Sequence, residues 1–317
     1  VTVVFLGTPE SAVLSLLAIL DAGHEVPLVV TRPDRPAGRK KTLQPPPVKA
    51  FALSRGLRLI QPDNVRAPQF LELLDGVAPD VLAVVAYGRI LPRRVLDAAR
   101  FGAVNLHFSL LPAFRGAAPV QWALASGEGI TGVTTFRIDE GLDTGDLLGQ
   151  RQVPIAPGEH APALLGRLAV TGAGLLVETL DGLAAGSIRP TPQDGERATT
   201  APRLTTQDGQ WSPAWSAREL EGRVRGFDPW PGVWAARSGK RLRIVDAHAA
   251  PDAIAQDVPG TVLALEGEAV RLSCAGGTVA VVDSIQPDGG RVMRAREAVN
   301  GRLLRPGDRI ERPEPAA

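Results

Sequence analysis

The chain has 317 residues, a formal net charge of +1, and a composition 44% apolar and 22% charged. This is the range of soluble globular proteins, with enough length for about two domains and a sizeable core. Its apolar runs break before the ~18–20 residues that a bilayer crossing requires, so no membrane span is expected. A single cysteine, Cys274, excludes an intramolecular disulfide and any cysteine-rich metal site.

VTVVFLGTP at the N-terminus reads directly as a strand and turn. It shows neither the basic region nor the cleavage site of a signal peptide, so a cytoplasmic protein is expected. The turn is not G-x-G-x-x-G, which argues against NAD binding. Residues Ser11 to Ala22 read as a helix closed by Gly23, and Val26 to Thr31 as a second strand. Next comes RPDRPAGRKK, followed by Pro45-Pro46-Pro47, which reads as a long exposed loop over residues 33–47. Arg32, Arg35, Arg39, Lys40, Lys41 and Lys49 oppose the single acid Asp34 in this stretch, a charge pattern suited to phosphate contacts or to a solvated surface.

Arg58 to Ile60 reads as a short third strand, and Val81 to Ala86 (VLAVVA) as a central strand buried on both faces. Ala103 to His107 and Gly132 to Ile138 follow as further strands. The β-α-β-α rhythm predicts an α/β fold with a doubly wound, mostly parallel sheet. His160 to Gly182 reads as a helix with a core-facing leucine stripe: Leu164, Leu165, Leu168, Leu175, Leu176 and Leu180.

The pattern then changes. A first domain is expected over 1–189 and a Pro-, Thr- and Gln-rich linker over 190–206. Residues 207–317 read as a small β-barrel, with strands over 241–245, 260–265, 269–274 and 278–282. Trp211, Trp215, Trp230 and Trp234 are expected to pack a helix over 217–226 onto that barrel. Arg291, Arg294, Arg296, Arg302, Arg305 and Arg309 form a second basic cluster.

The chemistry concentrates in FGAVNLHFSLLPAFRGAAP, residues 101–119. Asn105 and His107 lie two apart at the carboxyl end of a predicted strand, so both side chains point to one face. Open α/β sheets bind ligands at those strand ends. The glycine-rich loop DEGLDTGD, residues 139–146, can supply a carboxylate. An amide donor, an imidazole and a carboxylate suit addition to a carbonyl, the carboxylate raising the imidazole pKa. The structural alternative is that Asn105 caps a turn and His107 bonds a backbone carbonyl. His24, His107, His160 and His248 have no metal-ligand spacing, so no metal is expected.

NLHFSLLPAFRGAAP together with DEGLDTGD resembles the folate-dependent formyltransferases. VVAYGRILP, residues 84–92, is similar to the loop of that family that receives the pterin ring. The RPDRPAGRKK insertion and GFDPWPG, residues 226–232, resemble the branch acting on charged tRNA. The resemblance runs from Val3 to about Gly307, and it implies a Rossmann-like catalytic domain and a C-terminal oligonucleotide-binding-like (OB) barrel.

The implied reaction moves the formyl group of 10-formyltetrahydrofolate to the α-amino group of methionine on initiator methionyl-tRNA, in the cytoplasm and by a monomer. By motif position, Asn105, His107 and Asp143 are the catalytic set, with Asp139 and Asp146 secondary. Ser109, Leu110, Leu111, Pro112, Tyr87, Gly88, Ile90 and Leu91 would contact folate. Arg35, Arg39, Lys40 and Lys41 would contact tRNA. A cis Leu111–Pro112 bond is expected at the reversal.

Two features depart from the family. Position 108 is Phe where the family commonly has a small residue. The 191–211 stretch keeps only Arg197 and Arg203 as basic residues. A formyltransferase acting on a free nucleotide or nucleotide sugar would share the trio but leave the insertion and barrel unexplained.

Overall fold

The structure is a computed structural model and describes residues 1–37 and 42–313. In chain order the elements are β1 (Thr2–Gly7), α1 (Glu10–Asp21), β2 (Glu25–Val30), β3 (Arg35–Ala37), β4 (Thr42–Gln44), α2 (Pro47–Ser54), β5 (Leu59–Ile60) and α3 (Pro68–Val77). Then come β6 (Val81–Val85), α4 (Arg93–Leu96), β7 (Ala103–His107), α5 (Pro119–Ala125), β8 (Ile130–Arg137), β9 (Leu147–Pro154) and α6 (Ala161–Ala184). The last are α7 (Ala217–Gly226), β10 (Val233–Arg237), β11 (Lys240–Ile254), β12 (Val262–Glu266), β13 (Ala269–Ser273), β14 (Thr278–Pro287), β15 (Met293–Arg294) and α8 (Ala295–Asn300).

Two compact units result. The first comprises residues 1–116, 130–154 and 165–201; the second comprises 117–129, 155–164 and 202–317. In the first, seven strands run in the order β5-β2-β1-β6-β7-β8-β9. β5, β2, β1, β6 and β7 are parallel, whereas β8 and β9 pair antiparallel on the far side of β7. Every residue of β6 is buried, as its unbroken apolar run requires of a strand covered on both faces. The expected α/β class and mostly parallel sheet are borne out.

Helix α6 supplies the cover behind β7 to β9. All of its stripe leucines except the half-buried Leu165 are buried. Fully burying such a side chain contributes about 1.5–3 kcal/mol. A Cβ on Gly172 would press into Leu106, Leu175 lies against Gly149, and the Thr179 and Thr135 hydroxyls bond at 2.8 Å. By length and composition alone α6 could cross a bilayer, contrary to the expectation drawn from apolar runs. The buried stripe explains that composition as core.

The 33–47 segment is not the structureless loop expected. Its described residues form a hairpin in which Arg35 pairs with Gln44 and Ala37 with Thr42. Lys49 Nζ donates to both Asp34 carboxylate oxygens at 2.7 and 2.8 Å, and Gln61 Nε2 donates to Asp34 Oδ1 and to the Arg32 carbonyl, fastening the root of the hairpin. These bonds hold the Asp34 carboxyl below its ordinary pKa.

The second unit is built on the antiparallel order β10-β11-β14-β13-β12, with β15 on β14. Glu311 and Ala236 exchange backbone hydrogen bonds, and Val262 N–H donates to the Asp308 carbonyl. The 308–311 segment thus bridges both ends of the strand order, which supports the expected small β domain. Helix α7 opens with a capping box: Glu219 N–H donates to Ser216 Oγ, and Ser216 N–H to Glu219 Oε2. Trp211 lies in the core with Trp215 packed on it, as expected. Trp230 departs from expectation, being 53% exposed.

Candidate active site

Strand register puts the site on one sheet face. Asn105 lies opposite Phe136, and His107 opposite Thr134, which in turn lies opposite Gln150 of β9. Directly opposed residues share a face, so Asn105, His107, Thr134 and Gln150 line one side. Leu106, Thr135 and Gly149 line the other, against α6. The alternation of β7 therefore presents Asn105 and His107 together, as the two-residue spacing implied.

The turn after β7 is tied down from that face. Thr134 Oγ1 donates to the Ser109 carbonyl at 2.6 Å and accepts from Leu111 N–H at 3.1 Å. Gln150 Nε2 donates to the Leu111 carbonyl and to Thr134 Oγ1 at 2.7 and 3.0 Å, and Ser109 Oγ donates to the Ala113 carbonyl at 2.6 Å. Leu111–Pro112 is cis, as expected.

The imidazole of His107 is buried. Its Nε2 bonds the Phe114 carbonyl at 2.9 Å, and a carbonyl only accepts, so Nε2 carries the hydrogen. Nδ1 faces Asp143 Oδ2 at 3.7 Å. Asp143 raises the imidazole pKa, as the sequence reading held, but burial outweighs it, and the net displacement is downward from the ordinary histidine value. His107 is therefore neutral at neutral pH. The structural alternative for His107, a bond to a backbone carbonyl, coexists with its place in the site. Asn105 is half-buried, and its carboxamide has no side-chain hydrogen bond among the described residues.

Asp143 has φ 54°, the left-handed region, which costs a non-glycine residue roughly 1–2 kcal/mol. In that conformation Oδ2 accepts from Gly116 N–H at 2.8 Å. The neighbouring glycines make the fold of this loop possible: a Cβ on Gly145 would overlap the Arg137 carbonyl, and one on Gly141 the Thr144 hydroxyl. Asp139 accepts from Thr144 Oγ1 and Gly141 N–H and so closes the loop.

The other proposed contacts divide. Ser109 and Leu111 are buried in the turn; Leu110, Leu111 and Pro112 line a cavity of about 350 Å³ together with Ala113, Gln150, Gln152 and Arg197. Tyr87 is buried and its hydroxyl has no hydrogen-bond partner among the described residues, Leu91 is in the core, Gly88 has φ 74°, and Ile90 is 84% exposed. A second cavity of about 340 Å³ lies between Arg93, Leu96, Asp97, Gly102 and Ala103 on one side and residues 137–139 and 144–146 on the other. Arg35 is exposed on β3, whereas Arg39, Lys40 and Lys41 lie outside the described residues. Phe108 is buried; the ring beside His107 is Phe136, edge-on at 6.4 Å. Among the described residues no group of three or more His, Cys, Asp or Glu is placed to hold a metal ion.

The profile of the formyl transferase family matches residues 1–180, and that of the formyl transferase C-terminal domain matches 203–303. A methionyl-tRNA formyltransferase from Acidobacterium capsulatum is 46% identical over 310 residues, covering 97% of this chain and 98% of the relative. The chain belongs to the methionyl-tRNA formyltransferases. The enzyme of that name from Myxococcus xanthus is 45% identical over 305 residues, covering 96% of each chain. In fold, the chain is similar to an N-formyltransferase from Helicobacter canadensis solved with folinic acid and dTDP-3-aminofucose, with a TM-score of 0.67 at 17% identity, covering 88% of this chain and 98% of that one. HypX from Aquifex aeolicus, solved with tetrahydrofolic acid, gives a TM-score of 0.61 at 18% identity, covering 99% of this chain and 50% of that one.

Reading the sequence alone missed the contributions of Phe114, Gly116, Thr134 and Gln150. The first two lie in the quoted motif but act through backbone atoms, which side-chain chemistry does not signal. Thr134 and Gln150 become visible only once strand register is known.

Proposed function

We propose that this chain transfers the formyl group of 10-formyltetrahydrofolate to the α-amino group of methionine on initiator tRNA, with Asn105, His107 and Asp143 as the reacting set. Near full-length identity to methionyl-tRNA formyltransferases supports the substrate. The observation that carries the residue roles is the convergence of His107 Nδ1 on Asp143 Oδ2 beside the unpartnered Asn105 carboxamide.

In this reading the free amine adds its lone pair to the formyl carbon, and the carbonyl π pair moves to oxygen. The Asn105 carboxamide donates to that oxygen. Nδ1 of the neutral His107 and the Asp143 carboxylate are two acceptors facing one another. A proton released by the amine settles between them and turns the imidazole into a cation beside the developing oxyanion. The same proton then passes to N10 of the folate as the carbon–N10 bond breaks, which restores the neutral imidazole.

The folate fits the cavity beside Thr144 and Gly145, next in chain to Asp143. Leu96, Ala103 and Ile138 supply apolar walls. Arg35 on β3, with Arg39, Lys40 and Lys41 following it in the sequence, would meet the tRNA backbone. Such an enzyme works in the cytoplasm, and this reading has it act as a monomer.

The test is formyl transfer from 10-formyltetrahydrofolate to methionyl-tRNA, with free methionine and an amino-sugar nucleotide as competing acceptors. Transfer to the charged tRNA alone, reduced at least about 100-fold by Asp143→Asn, is expected. Transfer to the sugar nucleotide instead would overturn the acceptor. An active Asp143→Asn would overturn the residue roles.

A further inference from the structure

The stretch over 191–201 carries no regular secondary structure beyond a short 3-10 turn at Gly195–Arg197, yet it is bonded along its length to the site. Thr191 exchanges backbone hydrogen bonds with Leu147 at 2.8 and 3.0 Å. Thr199 Oγ1 accepts from Phe114 N–H at 2.8 Å, and the Thr199 carbonyl accepts from Arg115 N–H at 2.8 Å. Ala201 N–H donates to the Arg115 carbonyl at 2.7 Å. This strap therefore grips the residue whose carbonyl holds His107.

Gln193 is its centre. Nε2 donates to the Asp143 carbonyl at 2.9 Å and to the Gly145 carbonyl at 2.7 Å. Oε1 accepts from Arg115 Nε at 3.1 Å and from a terminal Arg115 nitrogen at 2.8 Å. Both amide hydrogens and both oxygen lone pairs are used. The amide orientation is fixed by chemistry, because a guanidinium only donates and a carbonyl only accepts. The two loops so joined are the ones that meet at the Gly116 N–H to Asp143 Oδ2 bond.

We infer that Gln193 is a positioning residue for the transfer reaction: it holds Asp143 in its left-handed conformation and so keeps the carboxylate against His107. The inference rests on the reading of Asp143 as catalytic. The hydrogen bonds of the Gln193 side chain go to the Asp143–Gly145 loop and to Arg115. Its loss should act on the chemical step and leave substrate binding largely intact. No other side chain of similar length serves: glutamate lacks the donor hydrogens, and methionine lacks donors and acceptors alike.

The experiment compares Gln193→Met, Gln193→Glu, Asp143→Asn and the double variant Gln193→Met/Asp143→Asn in formyl transfer to methionyl-tRNA, with thermal melting of each. Displacing a reacting group by an ångström costs up to about 100-fold. We expect kcat for Gln193→Met to fall about 10- to 100-fold, with KM for both substrates within about threefold. The double variant should be no slower than Asp143→Asn, because the two changes remove one function. Gln193→Glu keeps the Arg115 contact and serves if the methionine variant does not fold; it should be equally slow. A wild-type kcat in a folded Gln193 variant, with Asp143→Asn inactive, overturns the positioning role alone. An active Asp143→Asn overturns the underlying reading. Full multiplicativity in the double variant, or a rise confined to KM, also overturns the positioning role.

Discussion

His107 occupies a buried position in which its proton affinity is set against it. Burial lowers its pKa below the unfolded value of about 6.5, and Asp143 only partly restores it. The sign for stability follows from proton counting. Below about pH 6.5 the unfolded chain binds a proton at this position that the folded chain refuses, so stability falls as pH falls. Above that pH the group contributes nothing to the slope. Melting temperatures of the native protein and of His107→Gln, followed from pH 8 to pH 5, should converge toward acid, the native protein losing more. Parallel curves would show that the imidazole titrates alike in both states. His24 is lowered for the same principal reason and is common to both proteins, so it cancels in the comparison. Asn105 and His107 mark themselves in the sequence as polar side chains at a strand end, and the glycine-rich loop marks itself as a source of a carboxylate; the choice of Asp143 within that loop rests on the family resemblance. Gln193 carries no such mark. It lies in a Pro- and Thr-rich run that reads as a linker, and its role depends on two backbone carbonyls fifty residues away in the chain.

At the level of elements, legibility followed the strength of the local signal. β1 and β6 are apolar and largely buried, β7 is apolar up to its two polar residues, and α6 carries a leucine stripe, so their patterns are plain. β9 escaped because its sequence, LLGQRQVP, buries only Val153 and forms the edge of the sheet. α2 escaped because it starts at Pro47, the last of three prolines that read as a stiff exit from a loop; proline is well placed at the first helical position. α7 spans the helix expected over 217–226. Its capping box makes a measurable claim. Ser216→Ala should lower the stability of the second unit by about 1 kcal/mol, since it orphans the Glu219 N–H and removes the hydroxyl bond to the Glu219 carboxylate, leaving only the backbone N–H of residue 216 on it. Chemical denaturation read by tryptophan fluorescence would measure it, and a change below about 0.3 kcal/mol would mean that solvent replaces the cap. The bonds from Ser216 hold the Glu219 carboxyl below its usual range. That contribution is present above the ordinary glutamate pKa and is lost as pH falls through the lowered one.

For the whole molecule the question is where a highly charged nucleic acid would be held by a chain whose formal net charge is only +1. Two of the six arginines in the C-terminal cluster, Arg291 and Arg296, are engaged in ion pairs, as are Arg237 and Arg271 outside it. Arg291 pairs with Glu297 at 2.5 Å and Arg296 with Glu268 at 2.9 Å. Arg237 pairs with Asp308 at 2.9 Å, and Arg271 pairs with Glu266. A paired arginine exchanges its carboxylate for a phosphate with a smaller net gain than an unpaired one, although an exposed pair holds it by only about 1 kcal/mol or less. The hairpin region differs. Asp34, the one acid there, is already committed to Lys49 and Gln61, which leaves the cations at 35 and 39–41 unopposed by any acid in that stretch. Binding of methionyl-tRNA should therefore depend on salt chiefly through the hairpin. Each phosphate contact contributes about 0.9 to the slope of log affinity against log salt. Arg39→Ala/Lys40→Ala/Lys41→Ala should flatten that slope by up to about 3. Arg291→Ala/Arg296→Ala should leave it within about 0.5. Folate affinity, measured in parallel by calorimetry, should stay at the native value in both variants, because the cavity proposed for the folate is lined from α4, β7 and residues 137–139 and 144–146. An equal loss of folate affinity in the hairpin variant would mean that the insertion shapes the catalytic cleft rather than the tRNA surface.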